Sequence, residues 1–275
     1  MKVYLMTDLE GVAGVYTWEN RSDESLENQE RRCRQRRWLA REVNAAADGF
    51  FAAGASEVLV NDGHGAGYTI DLDEVDSRVE LIHGRERPFW LPHIEECDVT
   101  GIVGAHAKAG TPDGCLCHTM STAVRGFWFN GLSVGEIGCQ ALIAGHYGIP
   151  FVFCSGDRWA CEEAAALCPG CVTVAVKKGL SRLSARTLPP AESCKRIRAG
   201  AETALAAAVE PLTLEPPIRF REERHEPTYD PEKPPPHATV LDAHTIEIEA
   251  DDVIGLFVKR YGYPADWQPR QRPTA

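Results

Sequence analysis

A mostly parallel α/β sheet flanked by helices, with a smaller C-terminal α+β appendage, is the fold class that three features of the sequence predict. Short apolar runs rich in β-branched and aromatic residues recur along the chain. Segments with apolar residues at three- and four-residue spacing separate them, and glycine or proline punctuates most of the junctions. Strands that alternate with helices pair in parallel and bury both sheet faces. The 275 residues, 44% apolar and 25% charged, suit one large globular domain with an appendage.

The first strand is KVYLMT (2–7), ending in the charged turn Asp8-Leu9-Glu10-Gly11. A helix is expected over about 28–53, because Trp38, Leu39, Val43, Ala46, Ala47 and Phe50 keep helical spacing and Gly54 stands at the C-cap. EVLVND (57–62) is a short buried strand that runs into the glycine-rich loop 63–67, and DVTGIVGAH (98–106) is a third. Asn130-Gly131 marks a hairpin in 123–135 through its type I′ turn preference. Helices are expected over 136–147, 158–167 and 190–209, and strands at 150–155 and 172–177.

After Pro211 the chain becomes rich in proline and charge up to about residue 237. A strand, ATVLDAHTIEIEA, and an amphipathic helix at 251–261 follow. The expected division is therefore a catalytic body, 1–210, and an appendage with tail, 211–275, frayed from 264 onward.

The 29 basic and 40 acidic residues leave a formal charge of −11, which disfavours nucleic acid and anionic membrane as partners. No apolar run is long enough to span a bilayer, and the N-terminal stretch lacks a secretory apolar core. A cytoplasmic location is expected, where the ten cysteines would be mainly free thiols.

The chemistry lies in where the polar residues fall. Asp8 and Glu10 follow the first strand, His64 the second and His106 the third, and ligands of open parallel sheets gather outside the carboxyl ends of strands. Glu136, in the first turn of a helix, adds a third carboxylate. Carboxylates and imidazoles without thiolates suit Zn²⁺, Mn²⁺ or Co²⁺ in a hydrolytic site. Five ligands exceed what one catalytic zinc takes, so two metals sharing a carboxylate account for the set. Taken singly, each of these residues would be an ordinary loop or turn residue; their convergence on one sheet edge carries the reading.

The ordered motifs DLEG, NDGH, GAHAKAGTP, CHTM and NGLSVGEIG, continuing through SGD (155–157) and AVKKGLSR (175–182), resemble the D-aminopeptidase family of binuclear zinc peptidases. The resemblance runs through about the first 190 residues and thinly beyond. It implies that Asp8 bridges two Zn²⁺ per subunit, that Glu10, His64, His106 and Glu136 complete the ligands, and that His118 is the catalytic histidine. It also implies short substrates with a free N-terminus, D-residues included, and a ring-shaped homo-oligomer, a decamer. Compared with the family, the loop 107–117 is one residue longer and carries Cys115 and Cys117.

His118 is free to act as general base, as proton donor to the leaving amine or as direct nucleophile. A metal, or acidic residues such as Asp62 or Asp157, could hold the substrate amine, and metal together with amides of loop 63–67 the oxyanion. Competing readings are weaker. Gly63-x-Gly65-x-Gly67 has the wrong spacing for a nucleotide cradle, and Cys117-His118 are too close in sequence for a nucleophile and its base. Cys168-Pro169-Gly170-Cys171 reads as a helix-ending turn with two thiols, while Cys33, Cys97, Cys139, Cys154 and Cys194 read as small hydrophobes. The arginine run at 30–42 reads as a solvated or intersubunit surface. The alternatives for function are a metal-dependent phosphoesterase, served by the same ligands, and a non-catalytic metal-stabilised binding protein.

Overall fold

A computed structural model describes residues 1–264. Seven strands form the main sheet: β1 (Lys2–Thr7), β2 (Glu57–Asn61), β3 (Glu80–Ile82), β4 (Val99–Ala105), β7 (Phe151–Asp157), β8 (Val172–Ser181) and β9 (Ser184–Thr187). Their order is β3-β2-β1-β4-β7-β8-β9, parallel throughout except for the β8–β9 pair. The chain leaves β1 towards β2 and β3, then crosses back to β4 on the other side. The switch point therefore lies between β1 and β4, where doubly wound sheets open a crevice at their carboxyl edge.

The apolar runs form strands because their side chains are buried on both faces: Val3, Tyr4 and Leu5 in β1 and Phe151 and Phe153 in β7 are almost inaccessible to solvent. Helix α1 (Leu26–Ala52) starts at Ser25, whose side chain accepts from the Asn28 amide, and it ends before Gly54, which has a φ of +93°. It packs along α4 (Pro190–Ala204), while α2 (Glu136–His146) packs on α3 (Arg158–Leu167).

A second sheet, antiparallel, has the order β11-β12-β10-β5-β6. It combines the hairpin β5 (Val124–Phe129) and β6 (Leu132–Val134) with β10 (Ile218–Arg224), β11 (Thr239–Val240) and β12 (Thr245–Ala250). Asn130 and Gly131 both have positive φ, as the type I′ turn requires. Phe127 and Phe129 meet Phe220 at ring separations of 4.9 and 5.0 Å, and Phe129 meets Phe257 of α5 (Val253–Tyr261) at 6.1 Å.

Most expected elements lie where the sequence puts them, with informative differences. Three strands lie where the sequence analysis places none: β3 and β9 have three or four residues on a sheet edge, too few to show a period, and in the proline- and charge-rich stretch 211–237 a strand, Ile218–Arg224, alternates buried Ile218, Phe220 and Glu222 with exposed Arg219 and Arg221. The expected strand 238–250 is two strands, because Asp242 caps a turn by accepting from the His244 amide. Helix α4 stops at Ala204, several residues early. Cys33 is exposed, against its reading as a small hydrophobe, and Cys194 is only half-buried; all ten cysteines are free. Among the described residues no helix is long and apolar enough to cross a membrane. The expected frayed tail, apart from Pro264, lies outside the described residues.

Candidate metal centre

Three strand ends and one helix start converge at the switch point. Asp8 and Glu10 follow β1, His64 follows β2, His106 follows β4, and Glu136 opens α2. The loop after β1 can lie this close to β4 because a glycine stands on each side of the contact, Gly11 in the loop and Gly104 in β4. The Gly11 amide donates to Gly104 O at 2.7 Å, and a Cβ on Gly104 would stand 2.0 Å from the Asp8 carbonyl oxygen. The charged turn expected at Asp8-Leu9-Glu10-Gly11 forms, and it brings both carboxylates to the same imidazole, His64.

The two carboxylate oxygens of Asp8 point to different histidines. Oδ1 lies 3.0 Å from His64 Nδ1, and Oδ2 lies 3.2 Å from His106 Nε2. Glu10 Oε2 is 2.8 Å from the same His64 Nδ1, and Glu136 Oε1 is 3.3 Å from His106 Nε2. Donor atoms of Asp8, Glu10 and His64 lie within 4.8 Å of one another, as do those of His106, His118 and Glu136. Asp8 thus belongs to the first group and reaches the second through His106.

His118 lies in the second group. Its ring stacks on that of His106 at 3.9 Å, its Nε2 is 3.8 Å from Glu136 Oε1, and Trp18 meets it edge-on at 5.2 Å. Glu136 also fixes the loop that carries His118, since its Oε1 accepts from the Met120 amide at 2.7 Å.

The ring nitrogens turned away from the cluster all have acceptors. His106 Nδ1 donates to Ala107 O at 2.9 Å, His118 Nδ1 donates to Leu116 O at 2.9 Å, and His64 Nε2 faces Glu19 Oε2 at 3.4 Å. An acceptor on one nitrogen keeps the proton there and leaves the lone pair of the other pointing inward. Glu10 Oε2 and Asp8 Oδ1, both buried, converge on the single nitrogen His64 Nδ1, where Glu10 Oε2 makes no hydrogen bond of good geometry. A ring nitrogen with one proton at most cannot satisfy both carboxylates, and a cation held in the cluster would.

The electrostatics agree. Burial works against charge on every group here, but the carboxylates and imidazoles outweigh it for one another. Asp8 is held well below the usual carboxylate range by His106 and His64, and Glu136 is lowered by His106 and His118. His106 is pushed up to about 10 by Asp8 and Glu136, and His64 is raised well above its ordinary value by Glu10 and Asp8. The carboxylates therefore favour positive charge at this spot, and a divalent ion competes with protons for the same nitrogens.

Several supporting residues carry no sequence signal. Glu19 lies in an irregular loop, where it joins His64 to Arg21 and Arg32 at 2.7 and 3.1 Å. Glu163 of α3 accepts from the Gly135 amide at 2.6 Å, at the start of the helix that presents Glu136. Neither Asp62 nor Asp157 is open to a substrate amine, since both are fully buried. Asp62 accepts from the Thr69 and Ile70 amides and from His83, and Asp157 from the Trp159 and Gly179 amides. Loop 63–67 is also partly used up: the Gly63 amide donates to Thr7 Oγ1 and the Gly67 amide to His64 O.

Comparison with known proteins accords with this site. The model of the D-aminopeptidase family, Peptidase M55, matches residues 1–258. A D-aminopeptidase of Bacillus subtilis (strain 168) is 34% identical over 223 residues, covering 80% of this chain and 79% of its own length. The solved structure of the Zn-dependent D-aminopeptidase DppA from Bacillus subtilis, described as a self-compartmentalizing protease, superposes with a TM-score of 0.85. It is 28% identical and covers 96% of each chain. With a family model matched from the first strand into the last helix, this chain belongs to the D-aminopeptidase family and is a peptidase.

Proposed function

We propose that the chain is a zinc-dependent aminopeptidase that removes N-terminal residues, D-residues among them, from short peptides, with two Zn²⁺ per subunit. The observation that supports this reading is the pair of donor groups linked by Asp8, each imidazole keeping one nitrogen for the cluster. Asp8, Glu10 and His64 would hold one ion, and Asp8, His106 and Glu136 the other, with Asp8 as the bridge. Mn²⁺ or Co²⁺ suits the same donors. Bound zinc supplies Lewis acidity towards the scissile carbonyl and lowers the pKa of water towards ~7.

The protein's own residues do the rest. With its Nδ1 proton engaged by Leu116 O, His118 directs the Nε2 lone pair at the cluster. There it takes a proton from the attacking water and returns it to the leaving amine. Glu136 keeps that imidazole beside the cluster through the Met120 amide, and Trp18 packs against the ring and limits its rotation.

Assembly belongs to the same reading. We take the chain to form a homo-oligomer, a ring of ten. Exposed apolar side chains at Tyr16 and in the β8–β9 region, Leu180 and Leu183, support contact between copies.

The decisive experiment assays the zinc-loaded protein on D- and L-aminoacyl peptides, amides and p-nitrophenyl phosphate, before and after dialysis against a chelator. Hydrolysis of free-amine peptides, lost on chelation and restored by Zn²⁺, is expected. Turnover of the phosphate ester alone would replace this reading with a phosphoesterase.

A further inference from the structure

The loop that carries Glu10 is held from outside the metal cluster by a buried ammonium. Lys177, near the middle of β8, is 3% exposed, and its Nζ donates to Glu10 O and, at 2.6 Å, to Val15 O. From α1, the buried Glu42 accepts from the Ala13 amide at 3.1 Å. With the Gly11 amide on Gly104 O of β4 and the Gly14 amide on Thr187 Oγ1 of β9, five bonds from four distant elements fix residues 10–15, and Lys177 is the one side chain that holds the Glu10 carbonyl; the local hydrogen bonds of the stretch are isolated turns, Val12 amide to Leu9 O and Val15 amide to Val12 O. Burying an ammonium is costly, and an apolar residue at 177 would leave two buried carbonyls without that donor. Neither side chain is needed as a ligand, and the buried environment around them includes the Asp157 carboxylate and the Cys115 thiol.

We propose that Lys177 is a positioning residue for Glu10: by clamping the Glu10 carbonyl it sets where the Glu10 carboxylate stands against His64. This rests on the reading that Asp8, Glu10 and His64 form one of two metal subsites. It predicts an asymmetry. His106 and Glu136 come from β4 and α2, which Lys177 does not clamp, and Asp8 is tied separately through its amide to Val103 O. Loss of the clamp therefore loosens the subsite that contains Glu10 and spares the other.

The test is a zinc competition titration with a chromogenic chelator on wild type, Lys177→Met and the double variant Lys177→Met/Glu42→Gln. The double variant also removes the charge of Glu42, one of the buried carboxylates that the single variant leaves facing a neutral side chain, so a folding defect of the single variant that comes from that charge is relieved in it. We expect affinity at one of two sites to fall about 10- to 100-fold in both variants, the range for outer-shell partners of metal ligands, with the second site unchanged. Cobalt(II) absorption should change for one ion only. Equal affinities in wild type and variants, or an equal loss at both sites, would overturn the clamp. A wild-type chain that takes up no zinc would overturn the metal reading and the clamp with it.

Discussion

His118 is the residue on which the chemistry turns, and its surroundings separate two roles. If its Nε2 moves protons, His118→Ala should lose about 10²- to 10⁴-fold in kcat while keeping its full zinc content by elemental analysis. Loss of zinc together with activity would make it a ligand instead, which its place beside His106 and Glu136 also permits. Glu42 gives a second prediction at this scale. Burial, partly offset by the Ala13 amide, Ser193 and Lys177, raises its pKa from 4.5 to about 7. Between those values the folded chain binds more protons than the unfolded one, so stability falls as pH rises through this window and levels off above it. The size is on the order of 3 kcal/mol. Thermal melts of wild type across pH 4.5–8 should show the decline, and Glu42→Gln, which keeps the acceptor for Ala13, should flatten it.

At the scale of elements, the centre depends on how closely the turn after β1 approaches β4. Gly104 has a φ of +79° and no room for a Cβ beside the Asp8 carbonyl. Gly104→Ala should therefore cost about 3 kcal/mol or more, through strain and a forced shift of the turn. It should also lower zinc affinity, since the displaced backbone is that of Asp8; a denaturant melt and a zinc titration check both. The elements themselves were largely legible. The long helix, the Asn-Gly hairpin and the buried strands announce themselves because each repeats a period or ends on a residue with special backbone needs. The edge strands β3 and β9 did not, since three or four residues show no period, and the 238–250 segment concealed its turn at Asp242.

For the whole molecule, the expected state is an assembly. Sedimentation should give a species of ten copies, and Leu180→Asp together with Leu183→Asp should dissociate it; a wild-type monomer at micromolar concentration would remove that expectation. Alternating apolar runs, which pair in parallel, make the α/β class legible in the sequence, and polar residues at strand ends, which gather on one edge, point to five candidate ligands. The sequence also carried the likeness to the D-aminopeptidase family, which the family match bears out. The remainder came from packing. It turned the two oxygens of Asp8 towards different imidazoles, buried Asp62 and Asp157 among backbone amides, and brought Glu19, Glu163 and Lys177 into support. Lys177 lies 167 residues from the Glu10 carbonyl it clamps. Lys177 stands in the AVKKGLSR run, but nothing in that run names its partner, which is fixed only when packing closes the distance and removes the water.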